Sequence, residues 1–260
     1  MKKNAKWFII FVVCVSASIA GYDVNASENN EKNLEGKNMD HQHHHSNHAV
    51  SEVTPDVSYH QGELVIELRD KNGEVPELNV SHEKIMHLVV MSADLSDYHH
   101  LHPEVKGQGK YVQKIDLPDG KYKVFVDIDP KGLDYSVKPI HLNVGHINED
   151  SSKSKLIADT NFTKTINGQT VELITDTIEV NKEVTLNFDV KDATPEPYLG
   201  ALGHVVITDE KGEKFIHVHP TSEKETVFKT IFDEPGLYKV WAEFKLEDEV
   251  NVYPFVIEVQ

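Results

Sequence analysis

Twelve residues of this chain could bind a metal, and six of them recur at fixed spacing. The first half reads Met86-His87-Leu88-Val89-Val90 and later Tyr98-His99-His100-Leu101-His102-Pro103. The second half reads Gly203-His204-Val205-Val206-Ile207 and later Phe215-Ile216-His217-Val218-His219-Pro220. From the lone histidine to the first histidine of His-x-His is 13 residues in each copy. Neutral imidazole is the commonest protein ligand for Zn, Cu and Ni, so this repeat points first to metal chemistry. The other six candidates, Met39, His41, His43, His44, His45 and His48, crowd into one short polar stretch.

The elements that hold the repeat are legible as strands. In a strand, residues i and i+2 point to one face, so His100 and His102 project together, as do His217 and His219. Two imidazoles ~6–7 Å apart along a strand can converge on one ion with metal–nitrogen distances of ~2.0 Å. Leu101 and Val218 then face the core, and the following proline stops the strand near a loop where an ion could enter. If the strand headed by the lone histidine pairs antiparallel with the His-x-His strand, His87 approaches His102 and His204 approaches His219. The expectation is a three-histidine cluster at one edge of each unit, with strand-edge ligands near Pro220 facing solvent. A fourth position is left for water, a carboxylate such as Glu104, or an external ligand. A histidine hydrogen-bonded within a strand for stability is the competing reading. His60, His82, His99, His141 and His146 have no counterpart in the other copy and are expected to be exposed or hydrogen-bonded. Met86 and Met91 are expected to pack in the core, with a copper thioether as the lesser option.

Around these motifs the chain alternates polar and apolar residues in short runs, as in Gly62 to Leu68, punctuated by turns such as Lys71-Asn72-Gly73-Glu74. Each copy reaches a Gly-x-Tyr-Lys-Val-aromatic run, at Gly120 to Phe125 and at Gly236 to Trp241. No helical period is visible. The fold class is therefore all-β, two tandem antiparallel β-sandwiches, each large enough for one core. The expected organisation is a signal peptide at 1–26, a disordered His-rich tether at 27–54, one sandwich at 55–145, a linker at 146–157 and a second sandwich at 158–260.

Composition narrows the function. Lys2, Lys3 and Lys6 precede the apolar stretch Trp7 to Ile19, and cleavage after Ala20 or Ala26 would suit a secretory signal; a retained anchor is the alternative. Thirteen residues are short of the ~20 that span a bilayer. The single cysteine, Cys14, lies in that signal, so a mature chain has no thiolate for a blue-copper centre or for redox catalysis. A formal charge of −17 repels phosphate backbones, which argues against nucleic acid. Five histidines fall within residues 41–48, next to the soft ligand Met39. The polar stretch around them cannot bury enough apolar surface to fold, and reads as a metal-collecting tail.

The strand motifs resemble secreted bacterial copper-associated β-sandwich proteins, the YtkA-like, FixH-like and CopC-like group. The resemblance rests on Met86 to Val90, Tyr98 to Pro103, Tyr198-Leu199-Gly200-Ala201-Leu202-Gly203-His204, His217 to Pro220 and Gly236 to Trp241, and covers residues 60–260. It implies an immunoglobulin-like or cupredoxin-like fold and a role in the cell envelope near copper transport. The N-terminal histidine of CopC-type proteins is missing, so their Cu(II) site is not carried over. The expected function is a secreted, non-catalytic metal-binding protein that buffers, tolerates or delivers copper, with zinc as the alternative. Its partners would be the metal ion and an envelope metal transporter. A β-sandwich interaction module with packing histidines is the rival. A copper enzyme is disfavoured: Cu,Zn superoxide dismutase also carries His-x-His on a sandwich, but it needs a bridging ligand set and a disulfide.

Overall fold

The structure is a computed structural model that describes residues 50–147 and 156–260. The described residues form sixteen strands and no helix. The first half holds β1 (Val53–His60), β2 (Glu63–Asp70), β3 (His87–Ser92), β4 (Tyr98–Leu101), β5 (Glu104–Gly107), β6 (Lys110–Lys114), β7 (Gly120–Asp127) and β8 (Ile140–Val144). The second holds β9 (Thr163–Ile166), β10 (Gln169–Ile174), β11 (Glu183–Val190), β12 (His204–Asp209), β13 (Ile216–Val218), β14 (Val227–Ile231), β15 (Gly236–Leu246) and β16 (Glu249–Val259). They make four antiparallel sheets of order β1-β2-β6-β5, β4-β3-β7-β8, β14-β11-β10-β9 and β13-β12-β15-β16. The sheets β4-β3-β7-β8 and β13-β12-β15-β16 correspond strand for strand. β1 begins at Val53, so two residues expected in the tether belong to the sandwich.

Each pair of sheets closes over its own core. Leu64, Ile66 and Leu68 of β2, alternate residues, are buried against Leu88 and Val90 of β3 and Val124 and Val126 of β7. In the second half Leu186 and Phe188 pack on Val205, Ile207, Val240 and Phe255. Alternation fails in β3 and β12, where the first five residues of each are all buried. These strands are covered on both faces, which gives continuous apolar runs instead of alternating ones.

The second cover is the other sandwich. Val89, Met91 and Phe125 from one sheet share a cluster with Val206 and Trp241 from the other. Burying each such side chain contributes about 1.5–3 kcal/mol. Tyr98 stacks on Trp241 with ring centroids 4.6 Å apart, and Phe215 stacks on Phe125 at 4.9 Å. These stacks occupy equivalent positions with the halves exchanged, as across a twofold axis. At the rim, Lys123 pairs with Glu213. Gly212 lies beneath it at φ +68°, where a Cβ would come 3.1 Å from Lys123 and 3.2 Å from Leu95. The described residues all fall within one compact unit, Gln42–Gln260. No helix among them is long and apolar enough to cross a membrane.

The His-Pro dipeptides mark where the chain changes sheets. β4 ends at Leu101, Pro103 intervenes, and β5 joins the opposite sheet. In the second half β13 ends at Val218, and Pro220 bridges to Phe228 of the opposite sheet. Proline has no N–H to continue a ladder, so His102 and His219 sit at the crossings. Trp241, 3% exposed, anchors the contact between halves, and Trp241→Ala should cost roughly 3–5 kcal/mol in urea unfolding. A cost within about 0.5 kcal/mol of zero, as for an ordinary surface site, would show that the two sheets do not pack in this way.

Candidate metal centre

Strand register decides which way the histidines point. His87 pairs with Asp127, and His204 pairs with Glu243. His100 lies opposite Val89, and His217 opposite Val206. Directly paired residues share a face. Val89 and Val206 point between the sandwiches, so these four histidines and both acids point there too.

The structure therefore corrects the expectation of one cluster per sandwich edge. The six histidines gather in a single group between the halves. His87 and His217 have ring centroids 5.2 Å apart, and His100 and His217 5.1 Å. Two triads each offer one nitrogen per residue within 4.8 Å of one another: His87, His100 and His217, and His204, His217 and His219. These histidines do not face solvent either. The side chain of His100 is 1% exposed and that of His217 is 4% exposed. Residue order names no partner for the outer sheet faces, so an edge looked open where a second sheet covers it.

Oxygen acceptors set the tautomers. His87 Nε2 donates to the Ser81 carbonyl at 3.1 Å, and His204 Nε2 donates to the Tyr198 carbonyl at 3.0 Å. A carbonyl only accepts, so Nδ1 of each ring carries the lone pair. His100 Nδ1 donates to Glu243 at 3.0 Å, and His217 Nδ1 donates to Asp127 at 2.8 Å. Each carboxylate thus serves the histidine of the opposite half. Glu243 also accepts from the Tyr98 hydroxyl. The remaining nitrogens turn inward. His87 Nδ1 lies 3.1 Å from His100 Nε2, two lone pairs in contact unless a proton or a cation lies between them. His102 Nε2 reaches the same His87 Nδ1 at 3.2 Å. Nδ1 of His204, Nε2 of His217 and both nitrogens of His219 are buried without a hydrogen-bond partner. Carboxylates and carbonyls that fix the far nitrogen of each ring are how proteins orient metal-binding imidazoles. Nitrogens ~2.0–2.1 Å from a tetrahedral ion would stand roughly 3.3–3.4 Å apart, close to the spacing found.

Matching turns supply the two carbonyls. Ser81 to Lys84 and Tyr198 to Ala201 are tight turns with positive φ at both central residues: 47° at His82 and 64° at Glu83, 52° at Leu199 and 75° at Gly200. A non-glycine residue there is strained. His82 stacks on His219 with ring centroids 3.4 Å apart. Gly203, before His204, is needed for close approach, since a Cβ would fall 2.5 Å from the Phe244 ring. A small cavity of about 20 Å³ lies among Ser81, His87, Asp127, Asp129, His217 and His219, enough for one water-sized species.

Burial lowers the basicity of the cluster. Burial, reinforced by the charge on His100, drops His204 to about 4 and His102 to about 2. Burial also holds His87, His217 and His219 below the ordinary imidazole range. At Glu243 burial pushes the carboxyl up, but the charge and hydrogen bond of His100 outweigh it and leave the group below its usual range.

Other candidates fall outside the centre. Glu104 is exposed and pairs with Lys106, and His99 pairs with Asp97. Met86 and Met91 are buried. Met39, His41, His43, His44, His45 and His48 lie outside the described residues. Three participants escaped the sequence reading: His82, Asp127 and Glu243. The acids had a signal, because each is the first charged residue after Gly-x-Tyr-Lys-Val-aromatic, two positions beyond the aromatic in both copies.

The family described as "Domain of unknown function (DUF8832)" matches residues 46–145 and 164–260, and the chain belongs to it. No curated protein matches. Among solved structures, the Escherichia coli adhesin FdeC is 16% identical at a TM-score of 0.25, over 82% of this chain and 65% of that one. A two-domain fibronectin type-III segment of chicken tenascin is 10% identical at 0.25, over 79% of this chain and 97% of that one. The FN1–FN3 domains of chicken CNTN1 are 13% identical at 0.22, over 79% and 63%. This chain thus spans less than two thirds of the FdeC and CNTN1 chains.

Without metal, the buried neutral imidazoles make stability depend on pH. His102 and His204 have folded pKa values below the unfolded ~6.5. Below ~6.5 the unfolded chain binds protons that the folded chain refuses, so stability is full above that pH and falls as pH drops toward about 4. The melting temperature of the metal-free protein should fall through this window, and His204→Gln should flatten the fall. A flat profile in the unsubstituted protein would mean the rings are not buried neutral.

Proposed function

We propose that this chain, a member of a family without an assigned function, is a non-catalytic metal-binding protein that holds a transition-metal ion between its two sandwiches. The observation behind this reading is the set of inward-facing imidazole nitrogens with no donor to meet them. A purely structural cluster could place a proton between His87 and His100. It would leave His204 Nδ1, His217 Nε2 and His219 unsatisfied, and each buried polar atom left so costs about 1–3 kcal/mol. A cation among His204, His217 and His219 meets one nitrogen of each at once.

Copper is the first candidate and zinc the second. An all-imidazole set suits both, and copper binds most tightly in the divalent series. The expected signal peptide and the His-rich stretch at 41–48 fit a protein of the cell envelope that buffers, tolerates or delivers the ion, with a metal transporter as its partner.

The test uses the full chain with His41, His43, His44, His45 and His48 replaced by Ala, so that only the folded centre responds. Cu(II) or Zn(II) at 100 times Kd should stabilise it by about 2.7 kcal/mol. His217→Asn keeps a donor for Asp127 but loses the ligand nitrogen, and should abolish the effect. Asp127→Asn should weaken binding roughly 10- to 100-fold. If neither ion raises the melting temperature, the histidines serve packing and the interaction-module reading replaces this one.

A further inference from the structure

Resting on that reading, we propose that the centre has two overlapping three-histidine positions that share His217, so that one ion per chain can pass between them without release. The two triads, His87-His100-His217 and His204-His217-His219, have only His217 in common. Its Nδ1 is committed to Asp127, which leaves Nε2 as its one ligand atom. One nitrogen lone pair binds one ion, so the positions exclude each other. Ring centroids of His100 and His204 stand only 5.8 Å apart, so the step between positions is short.

The positions differ in chemistry. The first is rigid: His87 is tied to Ser81, and His100 to Glu243, which also accepts from Tyr98. The second contains His219, neither of whose nitrogens is tied, stacked on His82 in its strained turn. The small cavity beside Asp127, Asp129 and Lys84 touches His87 and His217 of the first position and His217 and His219 of the second, so it borders both. The untied His219 makes its position the one that exchanges an ion readily, and the tied rings of His87 and His100 make theirs the one that retains it. His217 is the pivot. Such a pair suits a protein that takes up an ion from a weak donor and hands it to another protein.

The test is a Cu(II) titration of the full chain lacking the five tail histidines, read by electron paramagnetic resonance and equilibrium dialysis. The parent should bind one equivalent. His100→Asn, which preserves the donor to Glu243, and His219→Ala should each retain one equivalent, with spectra that differ from one another. His217→Asn should lose binding altogether. Circular dichroism of each metal-free variant controls for folding, and His219→Gln replaces His219→Ala if the latter unfolds. Two equivalents in the parent would overturn the shared pivot. Loss of binding in folded His100→Asn or His219→Ala, or identical spectra from both, would show a single position. No binding by the parent would instead remove the metal-binding reading on which this rests.

Discussion

The centre exists because the outer faces of two sheets bury each other. Strands β3 and β12 carry apolar residues on both faces, and the outward set has no cover within its own sandwich. Packing Val89, Met91 and Phe125 against Val206 and Trp241 takes that surface out of water. It also drags along whatever shares the face. His87, His100, His204 and His217 share it by register, and so do Asp127 and Glu243. Burying six imidazoles would be costly in an arbitrary arrangement. Here the far nitrogens of four are bonded to oxygen, and the near nitrogens form two groups that meet at His217.

Exchange between halves is the organising feature. Glu243 of the second half orients His100 of the first, and Asp127 of the first orients His217 of the second. Tyr98 stacks across on Trp241, and Phe215 stacks back on Phe125. This is the reciprocity of a twofold dimer interface, realised within one chain whose two halves both match one family. The copies have since diverged. Tyr98, Trp241 and Glu243 stand on one side where Phe215, Phe125 and Asp127 stand on the other, and the hydroxyl–carboxylate–imidazole chain occurs on one side only. An ion bound at such an interface would be coupled to the fit between halves.

Much of this was legible in residue order. The strands, the hairpin turns, the equivalent 13-residue spacing and the shared direction of the two histidines in each His-x-His follow from period and turn chemistry, and the registers of β3 with β4 and of β12 with β13 agree with them. What could not be read was the partner of the outer face. Period two says that His87, Val89 and Met91 share a side, but it cannot say that Val206 and Trp241 cover it. The unbroken apolar run Leu88 to Met91 was the available hint, because a strand covered on one face only would alternate. His82 was invisible for another reason: its role depends on a positive φ in a turn that places it on His219. Of the expected ligands, those at 39–48 lie outside the described residues.

The most direct measurement is anomalous X-ray scattering from crystals of the full chain grown with Cu(II) or Zn(II), with data collected at the metal absorption edge. The account predicts anomalous density between the two sandwiches, within ~2.0–2.1 Å of the His217 Nε2. Crystals in which the metal lies only on the 41–48 histidines or the outer surface, with nothing bonded to His217, would contradict it.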